Sequence, residues 1–126
     1  MTTSEFSGRH VLVTGAGSGI GAAIARSFAA AGARVSLAGR RSAPLEDVAR
    51  ALPDGASLVL ADFDVTKAEA ITRGLTAARA KFGPVDILIN NAGDAPSAPF
   101  DRIDEAMWAH TIGVDLTGVF LVTQAA

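Results

Sequence analysis

The sequence has 126 residues, 49% hydrophobic and 19% charged, with a formal net charge of −2. That length suits one domain with its own core, and the balance is neither the highly charged make-up of a disordered chain nor the basic one of a nucleic-acid binder. No cysteine is present, which excludes a disulfide framework, a thiolate zinc site and a cysteine nucleophile; the two histidines, His10 and His110, are far apart, so no metal site is expected.

Residues 1–10 carry no apolar run of the kind a secretory leader needs. Val11, Leu12 and Val13 form a short apolar run ending in glycines, the pattern of a parallel strand covered on both faces. From Gly19 the residues Ile20, Ile24, Phe28 and Ala31 recur at helical spacing, and Gly32 stands where a glycine closes a helix. Residues 35–38 read as a second strand and Gly39, Arg40 and Arg41 as a turn. Ser42 and Pro44 open a helix that stops at Pro53, Asp54 and Gly55. Residues 58–61 make a third strand, and Thr66 with Glu69 reads as a capping box for a helix ending at Gly83 and Pro84. Residues 85–89 read as a fourth strand suited to a sheet centre. A polar turn (90–93), a proline-containing loop (94–103) and a last helix from residue 104 onward complete the chain.

Strands alternating with helices imply parallel pairing through right-handed crossovers. The expected fold is therefore α/β, a Rossmann-type doubly wound parallel sheet in the order 3-2-1-4. Nothing in the sequence pairs with the free edge of the fourth strand, and Gln124, Ala125 and Ala126 carry no helix-closing signal. Both features point to a portion of a longer protein, truncated before its remaining strands, with a complete four-stranded domain as the competing reading. No apolar stretch reads as long enough to span a bilayer, so a cytoplasmic protein is expected, with neither membrane nor nucleic acid as partner.

Thr14, Gly15, Ala16, Gly17, Ser18, Gly19, Ile20 and Gly21 lie between the first strand and its helix. There, free backbone N–H groups and a helix N-terminus can meet a diphosphate. The G-x-G-x-x-G spacing fails from Gly15, because Ile20 holds the sixth place, and from Gly17 only a degenerate form ending in Ala22 survives; G-x-x-x-G-x-G fits. A glycine turn that binds nothing is the bland alternative, which the strand-to-helix placement disfavours. No Gly-Lys-Ser/Thr follows, so a P-loop is excluded.

An acidic residue about 20 residues past such glycines takes the ribose hydroxyls of NAD, whereas an arginine there accommodates the 2′-phosphate of NADP. The second strand ends in Leu37, Ala38, Gly39, Arg40, Arg41, and the next carboxylate is Glu46. Guanidinium pairs bidentately with phosphate, so Arg40 is the main expected contact and Arg41 the secondary one; two solvated surface arginines are the alternative. Asp62 and Asp64 follow the third strand, where a carboxylate can accept the adenine amino group, Asp64 being the better placed. Asn90, Asn91, Ala92 and Gly93 follow the fourth, two amides and two tiny residues suited to backbone that bonds both a neighbouring strand and a bound sugar.

With these motifs in place the whole chain resembles the short-chain dehydrogenase/reductase family. Thr14 to Gly21 match its T-G-x-x-x-G-x-G, Asp64 and Val65 its adenine contact, and Asn90 to Gly93 its N-N-A-G. The resemblance implies that residues 1–126 are the N-terminal, dinucleotide-binding portion of a longer single-domain enzyme. It implies diphosphate contact at Gly15, Ser18 and Ile20, with Gly17, Gly19 and Gly21 in the same cofactor-binding set. It also implies 2′-phosphate contact at Arg40, adenine contact at Asp64 and Val65, and nicotinamide-ribose contact near Asn90, Ala92 and Gly93. Many NADP-preferring members carry a basic residue before the middle glycine, where Ser18 stands here. NADP(H) is the expected cofactor and NAD(H) the alternative.

The family transfers hydride with a serine, a tyrosine and a lysine four residues beyond the tyrosine, and this sequence has no tyrosine. The chain as written is expected to seat the cofactor. Its full-length parent is expected to interconvert an alcohol and a ketone, the 3-oxoacyl/3-hydroxyacyl type among the options. A non-catalytic nucleotide-binding module ending at residue 126 is the alternative, and a methyltransferase a remote third. The family's fourth catalytic residue, an asparagine, aligns with Asp115. An ionised aspartate can only accept hydrogen bonds where asparagine also donates, so Asp115 implies an altered relay or a merely structural carboxylate. The family precedent implies a homodimer or homotetramer. Phe100, Met107 and Trp108 read as core ahead of cleft lining, and Phe120, Leu121 and Val122 as packing the last helix onto the sheet. His10 and His110, with no partner in view, read as structural.

Overall fold

The computed structural model describes residues 5–94 and 96–126; residues 1–4 of the leader reading and Ala95 of the 94–103 loop lie outside them. Four parallel strands, β1 (His10–Thr14), β2 (Arg34–Ala38), β3 (Ser57–Leu60) and β4 (Ile87–Ile89), form one sheet in the order β3-β2-β1-β4. Val11 stands opposite Val35 on one side and Ile87 on the other. The helices are α1 (Gly19–Ala30), α2 (Ser42–Arg50), α3 (Ala68–Phe82), α4 (Glu105–Ile112) and α5 (Gly118–Ala125), with a short 3-10 turn at Phe100–Arg102.

Side chains alternate across a strand, so β1 feeds two cores. Val11 and Val13 join Ala22, Ala25 and Ala29 of α1 with Leu45 and Val48 of α2. Leu12, on the opposite face, joins Ile71 and Leu75 of α3 with Val122 of α5. The small residues on the buried side of α1 let that helix lie close against β1, which carries its N-terminus to the strand's end.

Gly32 and Gly83, at φ +93 and +80, close α1 and α3 where the sequence places those ends. Several local expectations need correction. The capping box does not form: Lys67 occupies the N-cap of α3 without a side-chain bond, because the Thr66 N–H and hydroxyl are both spent on Asp64 Oδ1. α2 already ends at Arg50, and no side chain caps its start. β3 is shifted one residue toward the N-terminus, and β4 is only three residues long and half-buried. Asp86 explains the shortening: its Oδ2 accepts from His10 N at 2.8 Å, which keeps it level with the start of β1 but outside the strand. His10 does have partners. Its Nδ1 donates to Gly83 O at 2.9 Å, and Nε2 meets Ser36 Oγ at 2.7 Å, which places a polar trio at the foot of β1.

The last helix is not uniform. A π-helical turn, Gly113–Thr117, joins α4 to α5 and is closed by the Gly118 N–H on Gly113 O. Val122 is fully buried, but Phe120, at 59% exposure, faces solvent and does not pack onto the sheet. Trp108 and Phe100 are likewise exposed, at 63% and 90%, and do not belong to the core. The run Glu105–Ala125, 21 residues with a mean hydropathy of 1.2 in its most apolar window, does have the length and composition to cross a bilayer, contrary to the sequence expectation. Here its buried residues, Gly118 and Val122, are turned inward.

Candidate cofactor-binding cleft

A cleft of about 540 Å³ opens where the segments after all four strands converge. The loop after β1 supplies Gly15, Gly17, Ser18, Gly19 and Ile20. Gly15 and Gly19 adopt φ +62 and +54, backbone that L side chains rarely take, so glycine at these two positions sets the turn. Ser18 is the N-cap of α1 but its side chain makes no capping bond, and the first turn of the helix holds no acidic residue. The positive end of α1 therefore faces the cleft without a built-in anion, the arrangement that receives a phosphate.

Gly21 has a different task. It lies outside the cleft lining, and a Cβ there would stand 2.2 Å from Gly15 O and 2.5 Å from Asn91 Nδ2. Its missing side chain is the condition for α1, the glycine loop and the segment after β4 to meet. Thr14 and Asn91 complete that junction. The Thr14 hydroxyl accepts from Asn91 N at 3.0 Å and from Ala92 N at 2.9 Å, while Asn91 Nδ2 donates to Gly15 O at 3.1 Å. Sequence reasoning named Asn90 for the sugar, but Asn90 is outside the lining and donates to Thr123 Oγ1 at 3.0 Å; the cleft-facing amide is its neighbour. Alternation along β4 carried the signal, since consecutive residues leaving a strand point opposite ways.

Arg40 and Arg41, both exposed, line the cleft beside Pro44 and Leu45. From β3 come Phe63, Asp64, Val65 and Thr66. Asp62 is exposed and bends the chain at φ +56, while Asp64 faces the cleft. The Thr66 hydroxyl, 2.6 Å from Asp64 Oδ1, holds that carboxyl below the usual carboxylate range; partial burial opposes this, and the Thr66 N–H, Lys67 and Arg40 reinforce it. Phe63 is buried under this wall because Gly74 of α3 leaves room for its ring. Ala92, Gly93 and Asp94 line the cleft after β4, and His110 and Val114 close it from the last helix. Asp115 is not part of the lining; its Oδ1 accepts from Asp94 N at 2.8 Å. His110, read from sequence as partnerless, has its Nε2 2.6 Å from Asp94 Oδ2.

The family model for short chain dehydrogenases matches residues 9–126. The chain belongs to that family. It is 45% identical to cis-4-hydroxycyclohexanecarboxylate dehydrogenase of Sinomonas cyclohexanicum over 118 residues, which is 92% of this chain and 47% of that protein. Acetoacetyl-CoA reductase of Rhizobium meliloti (strain 1021) is 38% identical over 115 residues, 91% of this chain and 46% of the relative. A crystal structure of a short-chain dehydrogenase/reductase from Brucella melitensis, described as SDR:Glucose/ribitol dehydrogenase, superposes with a TM-score of 0.93 at 32% identity, covering 100% of this chain and 53% of that one. A 3-ketoacyl-(acyl-carrier-protein) reductase from Brucella melitensis, solved with NADH, superposes at 0.88 with 35% identity, covering 94% and 48%. The chain spans about half the length of the curated relatives it matches. In this short-chain dehydrogenase chain, then, the strand order and the convergence of four post-strand segments are those of a Rossmann-type, nucleotide-binding fold.

Proposed function

We propose that this chain seats NADP(H) for a dehydrogenase/reductase that interconverts an alcohol and a ketone on a small molecule. One observation carries the cofactor choice: the wall after β2 presents Arg40 and Arg41 to the cleft, and the β2 turn contributes no carboxylate. A carboxylate there would repel a 2′-phosphate, whereas two guanidinium groups pair with it.

The residues present fit the dinucleotide. In this reading the uncapped N-terminus of α1 with Gly15, Gly17, Gly19 and Ile20 holds the diphosphate, Arg40 and Arg41 the 2′-phosphate, and Asp64 and Val65 the adenine. Asn91, Ala92 and Gly93 then approach the nicotinamide ribose. Bound there, the nicotinamide supplies the hydride acceptor or donor. These residues bind and orient it. The phenol of the family's proton-transfer set is not among them, since the sequence has no tyrosine. Asp115 serves in this reading as a loop anchor, its Oδ1 being engaged by Asp94 N, and not as a relay. The relatives' names favour an alcohol/ketone substrate, 3-oxoacyl thioesters included. The exposed Leu116 and Phe120, with Val119 between them, favour assembly into a homodimer or homotetramer.

Titration of the intact protein with NADPH and NADH tests the reading. NADPH is expected to bind tighter by about tenfold or more, and Arg40→Ala to remove most of that margin, about 1.4 kcal/mol. A tenfold preference for NADH would overturn the role given to Arg40.

A further inference from the structure

Asp94 is held twice by the last helix. Its N–H donates to Asp115 Oδ1 at 2.8 Å, and its Oδ2 accepts from His110 Nε2 at 2.6 Å. The two helix residues are five apart, which in an uninterrupted α-helix sets them about 140° apart around the axis. The π-helical turn Gly113–Thr117, closed by Gly118 N–H on Gly113 O, under-rotates the chain between them and lets both reach one loop residue.

We propose that His110 is a positioning residue: acting through Asp94, it fixes the wall of the cleft beyond β4 against which the nicotinamide-ribose half of the dinucleotide lies. The inference rests on the dinucleotide reading of the cleft and deepens it. Arg40 and Asp64 leave the sheet at β2 and β3, on one side of β1, while Asp94 follows β4 on the other. A dinucleotide with its diphosphate over β1 and its phosphorylated ribose at β2 extends its other half toward β4. There Gly93 precedes Asp94 directly, and Asp94 and His110 both line the cleft.

The pair is not a fold element. Its side chains are 46% and 41% exposed, and exposed pairs of this kind contribute little to stability. Its effect therefore falls on the cleft. The ring needs only an Nε2–H to serve, present in one neutral tautomer as in the imidazolium, and a glutamine at this position supplies an equivalent amide N–H.

The test uses the intact protein and its variants His110→Ala, His110→Gln and Asp94→Ala. Each is titrated with whichever of NADPH and NADH the wild type binds tighter, and with the matching adenine half, adenosine 2′,5′-bisphosphate or AMP. His110→Ala and Asp94→Ala are expected to weaken the dinucleotide by about fivefold or more while leaving the adenine half and the melting temperature unchanged. His110→Gln is expected to restore the affinity, and the doubly substituted protein to be no weaker than either single variant. Unchanged dinucleotide affinity in His110→Ala, or an equal loss for dinucleotide and adenine half, would overturn the proposal. A wild type that binds neither dinucleotide overturns the reading beneath it instead, so the two failures are distinct.

Discussion

On the β1–β2 side of the cleft, Val11, Leu12 and Val13 and all of Val35, Ser36, Leu37 and Ala38 are wholly out of water. On the β4 side the strand is half-buried, and the helical run after it turns Trp108, Leu116 and Phe120 to solvent. The first side is fixed by packing on both faces of the sheet. The second is tied to the first by the β1–β4 ladder, by the Thr14 hydroxyl on Asn91 N and Ala92 N, and by the Asn91 amide on Gly15 O, while the two bonds on Asp94 tie the loop after β4 to the last helix. A cleft between two such walls has its geometry defined by the packed side, and hydrogen bonds determine how well the other side matches it. The glycine loop and the arginines stand on the packed side, as the proposed phosphate seat requires, since backbone N–H groups serve an anion only when they are preorganised.

The largest expected effect comes from forcing the two walls apart. Gly21→Ala places a methyl group 2.2 Å from Gly15 O and 2.5 Å from Asn91 Nδ2. Neither backbone nor a bonded amide can yield cheaply, so a loss of about 3 kcal/mol in chemical denaturation is expected, at the upper end for overpacking. The same insertion at Gly19, where nothing lies within 4 Å, costs only the strain of φ +54, about 1 kcal/mol. Equal losses at the two positions would show that the walls are not pressed together at Gly21.

A second contrast lies within α5. Val122→Ala removes a fully buried side chain from the core that includes Leu12, Ile71 and Leu75, and should cost about 2 kcal/mol. Phe120→Ser, two residues away but 59% exposed, should change stability by less than about 0.5 kcal/mol. If the proposed assembly covers Phe120, that substitution instead lowers the mass measured by sedimentation. A loss of stability without a change in mass would place Phe120 in the protomer's own core.

The packed side was also the legible one. Apolar runs bounded by glycines announce β1 and β2, the glycine spacing announces the turn onto α1, and the β–α alternation announces the strand order, because each signal is local and repeated. The β4 side is written in pairings distant in sequence. Nothing near Asp94 announces His110, 16 residues on, or Asp115, 21 residues on. The π turn that brings them together has no composition of its own, and the helical spacing of apolar residues reads straight through it. The choice of Asn90 over Asn91 has a similar cause: the pair is evident from sequence, but which amide faces the cleft is set by partners distant in sequence, Thr123 for Asn90 and Gly15 for Asn91. Thr66 reads as a helix cap because its hydroxyl and N–H have two competing uses, capping α3 or holding Asp64, and in the structure the nearer carboxylate prevails.

The end of β3 lies between the packed and the bonded walls, and the smallest predicted effect decides which it resembles. Asp64 is half-buried, with one oxygen fixed by the Thr66 hydroxyl and N–H and its carboxyl held below the usual range. A group whose folded-state pKa is depressed adds stability that is fully present above its unfolded value, about 3.9, and is lost as the pH falls through the folded value. The contribution is therefore intact at neutral pH and fades only in acid. Solvent screening keeps it below about 1 kcal/mol. Asp64→Asn should flatten the acid limb of the stability profile and leave neutral stability lower by that small amount. Thr66→Val, which removes the hydroxyl but keeps the N–H, should raise the Asp64 carboxyl toward its ordinary value in an NMR titration. A carboxyl that titrates at the ordinary value in the wild type would mean that Thr66 does not fix it, and that the β3 end of the cleft is as loosely set as the β4 end.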